Sequence, residues 1–572
     1  MKKVLSLALA LTVLLTAASA CAPNQSVFEK RKHTYTKAQI SAHPLKESEP
    51  LTFDCLFRED LPEIPYIDAQ DYLNRIFTEE VGFRKGKNGS YHFTNGGYTL
   101  TIDAENDTIS CDCIEGFILE NHKPYSEAEN VDYIRSEGFT EEDEIKPAFI
   151  DVGKYGIDIT EHDGRVYLPF CTLADLFADM GCAVLCKNGE LYFKSAADTL
   201  DAGGGQGKLG DTRSKAMAEF CYQELCLTMD TVYGQPSMSA LSESIREKGF
   251  DATLSTRSGV TSRIRELLLS EDTKEYCTGV RLLNYYLYDG GHTQMDYGMN
   301  NAMVKYAIPT VAGIAEELFS PQEPEREAIA GAYDKLSESF AMKEKLVAEK
   351  KAAYEKLELV AADGGASLYR DGDTYFFDFN AFENKMVRPF KEALDYAAAN
   401  RAKNFVIDLS TNGGGSDFAV NYMLAQMLGE DRHLTKSTLS DSTFRTHLLV
   451  DKNLDGVFDE KDNAVSYDFR FAVITSRYSY SNASCMPCAA QEGGVAVLGE
   501  KSAGGCCITS AHYYPNGCMF SISGSSKNIR PDGEDVDAGT DPDTALPGAA
   551  QGYGGFYDID AINAGIDAFY NQ

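Results

Sequence analysis

The sequence has no tryptophan, fewer basic than acidic residues, and no long apolar run beyond its first twenty residues. Its 53 Lys and Arg stand against 87 Asp and Glu, which gives a formal net charge of −34. An anionic surface repels nucleic acid and acidic lipid headgroups, so we expect no nucleic-acid partner. Because no later run is long and apolar enough, we also predict no membrane-spanning helix in the mature chain.

Two kinds of motif are incomplete. The cysteine motifs are Cys111-x-Cys113, Cys485-x-x-Cys488 and the adjacent Cys506-Cys507. None has a second pair at zinc-finger spacing, so the sequence predicts no structural zinc site. The sequence does not decide whether the fifteen cysteines form disulfides. The GGGQGK run lacks both a preceding strand and a Ser or Thr after Lys208, which excludes a phosphate-binding loop.

The N-terminus has the pattern of a secretory signal. Two lysines, an apolar run from Val4 to Leu15 and the small residues before Cys21 form the n-region, h-region and cleavage site. A Cys at this place resembles a bacterial lipobox, in which that residue is acylated after cleavage. We therefore expect an exported protein held by a lipid on Cys21 at the outer face of a bacterial membrane of Gram-positive type. Ordinary secretion with Cys21 lost or unmodified is the alternative.

Composition divides the rest of the 572 residues into several regions. We predict a signal peptide over 1–20, a tether over 21–50, β-rich modules over 51–200, a linker over 201–213, a helical subdomain over 214–365 and an α/β core over 366–572. Within the modules, "YGIDITEHDGRVYLPFCTLADLF" resembles the small repeat at the N-terminus of some copper amine oxidases, and "IPYIDAQDYLNRIF" is read as the opening of a first copy. No metal function follows from that resemblance.

The second half changes from helical periodicity to alternating strands and helices. Helices are predicted over 214–233, 260–288 and 325–357. From Ala366 onward, buried strand patterns such as "KNFVIDLS" and "FRFAVITS" are each followed by a helical pattern. This alternation favours a βαβ-type core in which the carboxyl ends of the strands open onto one crevice.

Three segments at this crevice carry candidate chemistry. "NFVIDLSTNGGGSDF" ends a strand in a glycine turn that exposes backbone N–H groups, the geometry of an oxyanion hole. "VITSRYSYSNAS" delivers a serine-rich loop at the start of a helix, where a hydroxyl can act as nucleophile. "YDGGHTQ" places His292 in a polar turn beside Asp289, as suits a general base.

Five motifs in order resemble the S41 family of serine peptidases, the group of the C-terminal processing peptidases and the tricorn core. They are "DGGHT", "VIDLSTNGGG", "VITSRYSYSNAS", "VLGEKSAGG" and "DVDAGTDPD", within roughly residues 214 to 570. The resemblance implies an α/β (α+β) core of crotonase-like βαβ type and hydrolysis of peptide bonds. It also implies that catalysis requires no cofactor.

The resemblance places the nucleophile on Ser481, with Ser479 and Ser484 as alternatives. It implies an oxyanion hole from the N–H groups of Gly414 or Gly415 and of Asn482. Cys485 is a further candidate nucleophile, although its register differs from that of the family. The Cys-x-x-C is otherwise read as core cysteines on the helix behind the serine, with a redox site as the alternative.

The match to the family is less complete for the catalytic base and the catalytic acid. Cys506 stands where the processing peptidases carry their lysine, and Lys501 is out of register, so the lysine dyad is missing. The tricorn-like branch uses a histidine, and His292 fits that place. Its acid corresponds to Asp537, with Glu534 three residues earlier.

Residues 451–462, "DKNLDGVFDEKD", match the calcium loop of EF-hands. The predicted ligands are Asp451, Asn453, Asp455, the Val457 carbonyl, Asp459 and Asp462. Gly456 occupies the sixth position, where the loop turns sharply, and Asp462 replaces the usual Glu. We therefore expect a structural Ca²⁺, with an acidic turn as the alternative.

The sequence as a whole predicts a lipid-anchored, extracytoplasmic serine endopeptidase that acts on peptide or protein substrates. The alternative is a cell-surface protein that keeps the fold without activity and binds peptide or cell-wall polymer. The missing lysine favours the alternative, while the retained Ser481, His292 and glycine turn favour the enzyme.

Overall fold

A computed structural model describes most of the chain beyond the N-terminus. The described residues are 33–43, 51–76, 81–117, 131–141, 145–177, 183–187, 189–194, 209–429, 434–530 and 533–571. The predicted signal peptide, Cys21 and most of the linker lie outside these residues. No helix among the described residues has the length and apolar character to cross a membrane.

The strands of the first third are β1 Tyr35–His43, β2 Leu51–Arg58, β3 Leu61–Asp68, β4 Gly82–Lys85, β5 Ser90–Asn95, β6 Tyr98–Asp103, β7 Thr108–Cys111, β8 Ile134–Glu141, β9 Ala148–Asp151, β10 Thr160–His162, β11 Arg165–Pro169, β12 Ala183–Lys187 and β13 Glu190–Lys194. The later strands are β14 Glu358–Asp363, β15 Ala366–Asp371, β16 Thr374–Phe379, β17 Asn404–Asp408, β18 Leu434–Ser437, β19 Thr443–Val450, β20 Arg470–Thr475, β21 Ala496–Gly499, β22 Cys507–Tyr513, β23 Met519–Asn528 and β24 Thr544–Ala545.

The helices, numbered along the described residues, are α1 Ala69–Ile76, α2 Phe170–Phe177, α3 Lys215–Thr231, α4 Ser242–Lys248, α5 Phe250–Thr256, α6 Gly259–Leu268, α7 Thr273–Tyr286, α8 Asn300–Lys305, α9 Val311–Leu318, α10 Pro324–Tyr354, α11 Val387–Ala399, α12 Asp417–Leu428, α13 Glu460–Asn463, α14 Asn482–Glu492 and α15 Ile559–Tyr570. The helix predicted over 260–288 is two helices, α6 and α7. Asp272 separates them, because its side chain caps α7 by accepting a hydrogen bond from the Glu275 N–H at 3.0 Å.

The core sheet has the order β14-β15-β16-β17-β20-β21-β24. From β16 to β24 neighbouring strands run parallel, and β14 and β15 are antiparallel additions at one edge. Helices α11, α12 and α14 pack on one face, and α10 and α15 pack on the other. Covered on both faces, β17 and β20 read as continuous apolar runs, which confirms the predicted α/β core.

The N-terminal region has two sheets, ordered β10-β11-β3-β2-β1-β13-β12 and β4-β5-β6-β7-β9. In the first, β3 and β11 are antiparallel neighbours, and each leads directly into a helix. These two strand-helix units correspond to the two repeat-like segments of the sequence.

Two sequence boundaries differ from the structure. Residues 35–43, within the predicted tether, form β1, because Ala42 is buried and the Tyr35 ring packs edge-on against Tyr66 at 5.2 Å. The core sheet also begins at β14, before residue 366.

The regions are continuous in space. One hydrophobic core joins both N-terminal sheets to the helices of the middle region. A further sheet, ordered β22-β23-β18-β19-β8, adds β8 of the N-terminal region to strands of the C-terminal half. The turn that carries His292 joins the same sheet, because Gln294 pairs with Ser521 of β23.

Candidate active site

The turn that carries Ser481 lies between β20 and α14, at the carboxyl edge of the core sheet. Ser481 directly precedes α14 and has φ +56° and ψ −129°, a strained backbone conformation for a residue with a side chain. Its N–H donates to the Gly504 carbonyl at 2.8 Å, which holds the strained turn against the loop after β21. Strain of this kind clusters at functional sites.

The alternatives to Ser481 are engaged or buried. Ser479 is fully buried, and its hydroxyl donates to the Leu409 carbonyl at 2.7 Å. Ser484 is also fully buried, and its hydroxyl lies 2.7 Å from that of Ser502. Burial raises the pKa of Cys485, so its thiol stays protonated and is a poor nucleophile. Among these candidates, Ser481 is the serine whose side chain is partly exposed and whose hydroxyl has no hydrogen bond to the described residues.

The glycine turn after β17 lies against Ser481. A Cβ on Gly414 would lie 2.6 Å from the Cβ of Ser481, so this close approach requires glycine. The Gly414 N–H donates to Asn412 Oδ1 at 2.8 Å and is already committed. By contrast, among the described residues no acceptor is found for the N–H groups of Gly415 and Asn482. These two are the N–H groups available to an oxyanion.

The side chain of Asn482 ties the two turns together. Its Nδ2 donates to the Gly415 carbonyl at 2.7 Å and to Asp417 Oδ1 at 2.6 Å. The backbone N–H of Asn482 stays at the first position of α14, where helix N–H groups lack internal partners. Asn482 therefore fixes the glycine turn relative to its own N–H.

The histidine turn is organised by Asp289, which is fully buried. The Asp289 carboxylate accepts hydrogen bonds from the N–H groups of Gly291 and Thr293, from the Thr293 hydroxyl at 2.5 Å and from the Ser523 hydroxyl at 2.7 Å. Thr293 is thus part of the turn. Asp289 sets the path of the backbone that presents His292.

His292 is partly buried, and its Nδ1 is a buried atom with no hydrogen-bond partner. Burial lowers the pKa of His292, and the carboxylates of Asp289, Asp537 and Asp417 oppose this only in part. The imidazole is therefore neutral at physiological pH and able to accept a proton. Among the described residues no hydrogen bond joins His292 to Ser481, a contact that apo catalytic sites often form only with substrate.

Tyr480 connects the histidine turn to the turn of Ser481, and sequence reasoning missed it. Its ring lies 4.7 Å from the His292 ring, centroid to centroid. A Cβ on Gly290 or on Gly505 would lie 2.4 Å from the same ring, so Tyr480 sits between two glycines. Since Tyr480 immediately precedes Ser481, this packing places the imidazole and the serine on neighbouring turns.

Asp537 lies beside the histidine turn in a short 3₁₀ helix, Val536–Ala538. It is 4% exposed, and one carboxylate oxygen accepts a hydrogen bond from the Ser237 N–H. Its other oxygen, Oδ1, is buried without a partner. Glu534, the residue three positions earlier, is exposed.

Cys506, and not a lysine, stands at the sequence position where the resemblance places the base of the processing peptidases. Cys506 is buried there, and its Sγ donates to Asp535 Oδ1 at 2.9 Å. Lys501 is exposed and pairs with Asp541 at 3.1 Å. No disulfide joins any two of the thirteen cysteines of the described residues.

A buried lysine lies under the glycine turn and was also missed. Lys350 of α10 contacts the carboxylates of Asp378 and, at 3.3 Å, Asp408, and donates to the Thr411 hydroxyl at 2.9 Å. Burial lowers the pKa of Lys350, but Asp408 and Asp378 more than offset this and raise it above its ordinary value. The ammonium therefore stays charged where β17 enters the turn.

The loop predicted to bind calcium follows β19. The buried carboxylate of Asp451 accepts a hydrogen bond from the Gly456 N–H at 2.7 Å, and Gly456 has φ +82°. Asp462, also buried, accepts from the N–H groups of Asn453 at 3.2 Å and Asp459 at 3.0 Å. The side chains of the first and last predicted ligands therefore lie inside the loop and hold its backbone by hydrogen bonds.

The tip of this loop faces solvent. Asp455, Val457 and Asp459 are exposed, and the Lys461 ammonium lies 3.5 Å from Asp455 and 3.2 Å from Asp459. The donor set consists of hard oxygen atoms, which is what Ca²⁺ prefers. A bound cation would compete with Lys461 for two of its ligands.

Part of the chain matches a known protein family. Residues 376–546 match the model of peptidase family S41, a segment that includes the glycine turn and Ser481. This segment therefore matches family S41, which confirms the resemblance read from the motifs. His292 lies outside the matched segment. No curated protein matches this chain.

Several solved structures are similar to parts of the chain. The photosystem II D1 C-terminal processing protease is 19% identical with a TM-score of 0.25, covering 33% of this chain and 46% of that chain. A lipoprotein from Streptococcus agalactiae is 13% identical with a TM-score of 0.33, covering 59% and 93%. The tricorn protease is 16% identical with a TM-score of 0.26, covering 35% and 18%. The match thus spans less than half the D1 processing protease.

Proposed function

We propose that the protein is an extracytoplasmic serine endopeptidase that acts through an acyl-enzyme on Ser481. The observation that carries the proposal is the strained Ser481 turn, which faces the glycine turn and has a neutral histidine on the neighbouring turn. The signal and lipobox patterns support a protein that is anchored through Cys21 at the outer face of the cell membrane.

The proposed reaction begins with His292 removing the proton of the Ser481 hydroxyl. The oxygen attacks the peptide carbonyl, and the N–H groups of Gly415 and Asn482 stabilise the oxyanion. His292 then protonates the leaving amine, and water attacks the acyl-enzyme with His292 again acting as base. Gly414 is left out of the oxyanion hole because its N–H is committed to Asn412.

In this proposal Asp537 is the acid that supports His292. Its negative charge raises the pKa of His292 and so opposes the effect of burial. Because the described residues contain no hydrogen bond between the two side chains, Asp537 acts through its field rather than through contact. We therefore treat Asp537 as a positioning and electrostatic residue.

An open cleft beside Ser481 is the proposed place for the substrate. It lies between α12, α14 and the segment after β23 and has a cavity volume of about 40 Å³. Its apolar walls include Val420, Leu424, Ile529 and Val536, with Asn482 at the end nearest Ser481. Polar residues, among them Asp417, Asn421 and Asn528, also line the cleft, and its volume admits only a small side chain of the peptide.

A fluorophosphonate probe tests the proposal. We expect it to label wild-type protein on Ser481, identified by mass spectrometry of the modified peptide, and to leave Ser481→Ala and His292→Ala unlabelled. Ser367→Ala, at a half-buried serine of β15, is the matched control and should be labelled normally. An adduct on another serine would overturn the assignment of the nucleophile.

The second candidate is an inactive protein that binds peptide in the same cleft. Two observations favour this candidate. No hydrogen bond joins Ser481 to His292 among the described residues, and Cys506 stands where the processing peptidases carry their lysine. Folded protein that binds peptides but shows no labelling of Ser481 would establish this alternative.

We also propose that residues 451–462 bind one structural Ca²⁺. The loop packs on α12, since the Tyr422 hydroxyl donates to the Lys452 carbonyl at 3.0 Å. A cation there would hold together the loop, α12 and the glycine turn that begins α12. Its role would be stability and not chemistry.

Calcium should raise the melting temperature of the wild-type protein. At about 100 times the dissociation constant, binding adds about 2.7 kcal/mol to the free energy of unfolding. Asp451→Ala should abolish this response, while Lys461→Ala should respond at lower Ca²⁺ concentration because it removes the competing ammonium. Differential scanning calorimetry with Ca²⁺ and with chelator measures both, and equal responses in the three proteins would contradict the site.

A further inference from the structure

Two cysteines and one carboxylate meet in a buried cluster next to the proposed active site. The Sγ atoms of Cys506 and Cys507 and a carboxylate oxygen of Asp537 all lie within 4.8 Å of one another. The three residues are 1%, 1% and 4% exposed. We propose that they form a binding site for a soft divalent metal ion such as Zn²⁺, and that occupation of the site inhibits the peptidase.

The backbone explains how two adjacent cysteines reach one carboxylate. In a regular strand, neighbouring side chains point to opposite faces. Here Gly504 and Gly505 have φ of +83° and +82°, and the pairing of β22 with β23 shifts register between Cys507 and Thr509. The irregular backbone on both sides lets the two thiols lie close together.

Asp537 supplies an independent indication of a ligand. Its Oδ1 is buried and has no hydrogen-bond partner, while its other oxygen is held by the Ser237 N–H. A buried carboxylate oxygen without a partner costs free energy, since it has lost its water. A metal ion bound by the neighbouring thiolates would satisfy this atom.

The donor set decides which kind of ion the site takes. Two thiolates and one carboxylate suit Zn²⁺ and related soft ions, whereas Ca²⁺ takes only oxygen. Asp535 is a candidate fourth ligand, because its Oδ1 lies 2.9 Å from Cys506 Sγ. The Lys527 ammonium, 3.2 Å from Asp535, balances part of the negative charge. Binding would replace the thiol protons by the metal and release them to water.

The cluster is tied to the proposed catalytic groups. The Gly504 carbonyl accepts the Ser481 N–H at 2.8 Å, and Gly505 packs on the Tyr480 ring that contacts His292. A metal on Asp537 would neutralise the carboxylate that supports His292 and would fix the segment that holds Ser481. The inhibition rests on the proposed peptidase function, but the metal site itself does not.

Cobalt titration of the full-length chain tests the site. With the protein reduced and freed of metal, we expect one Co²⁺ per chain with thiolate-to-cobalt charge-transfer absorption, displaced by Zn²⁺. Cys506→Ser and Cys507→Ser should each weaken cobalt binding by at least about 100-fold. Loss of a residue that only hydrogen-bonds to a metal ligand already costs up to about 100-fold in affinity, and loss of a ligand itself should cost no less. Cys485→Ser, in the same cysteine cluster but outside the group of three, should bind normally.

Fluorophosphonate labelling of Ser481 with and without Zn²⁺ tests the inhibition. We expect stoichiometric Zn²⁺ to suppress labelling at least tenfold in wild type and not in Cys507→Ser. Cobalt binding without thiolate absorption, or a Cys506–Cys507 disulfide that resists reduction, would overturn the site. Thiolate-bound cobalt with undiminished labelling would overturn the inhibition alone. Thiolate-bound cobalt with no labelling under any condition would instead reject the peptidase function and leave the metal site standing.

Discussion

Ser481→Ala is expected to lower kcat/KM for peptide hydrolysis by about 10⁴- to 10⁶-fold, the loss typical of a nucleophile that acts together with a histidine. The reason is the position of Ser481, whose strained turn presents the hydroxyl beside the free N–H groups of Gly415 and Asn482. Hydrolysis of a fluorogenic peptide library identifies a substrate, and its kcat and KM are then compared across the variants.

His292→Ala should lose a similar factor, and the double variant should lose no more than either single variant, because the two residues act as a unit. His447→Ala, at an exposed histidine of β19, is the matched control and should keep wild-type activity. Substantial hydrolysis by Ser481→Ala would show that another group is the nucleophile. Full additivity of the two losses would show that His292 does not serve Ser481.

Lys350→Met is expected to lower the free energy of unfolding by about 3–5 kcal/mol, because it removes the cation that pairs with the buried carboxylate of Asp408 and the partly buried one of Asp378. Asp408 is fully buried and cannot regain water without opening the core. Urea denaturation followed by circular dichroism measures the loss.

The adjacent residue provides the control for this prediction. Lys351 is exposed, and its ammonium lies 3.9 Å from Glu355 at helical spacing. Lys351→Met should change stability by no more than about 0.5 kcal/mol, the usual value of such a pair. Equal losses at the two positions would mean that the buried ion pair contributes no more than the exposed one.

Local sequence patterns predicted the α/β core well. The parallel strands read as short apolar runs, and each is followed by a turn and a helical pattern, so β17, α12, β20 and α14 lie where they were expected. The turns that end these strands hold the candidate residues, since the carboxyl ends of parallel strands meet at one edge. The same rule explains why the glycine turn and Ser481 are neighbours although about seventy residues separate them. The roles assigned to these residues stay predictions.

Contacts between segments far apart in the chain could not be predicted from local sequence patterns. Lys350 belongs to a helix dense in Lys and Glu, and nothing local distinguishes it from its exposed neighbour Lys351. The same holds for Tyr480, whose place between two glycines depends on loops far apart in the chain. The proximity of Cys506, Cys507 and Asp537 likewise follows from glycine conformations and a register shift that composition does not reveal.

The pairing of β8 with β19 governs the order in which the chain can fold. Phe139 pairs with Thr446, and Ile134 with Val450, so partners about three hundred residues apart must meet. Such distant pairing slows folding, because the intervening chain must be closed into a loop first. During synthesis, the N-terminal half cannot finish its fold until residue 450 has left the ribosome. A fragment that ends before β19 would keep β8 as an unpaired edge, the kind of strand that recruits other chains into aggregates.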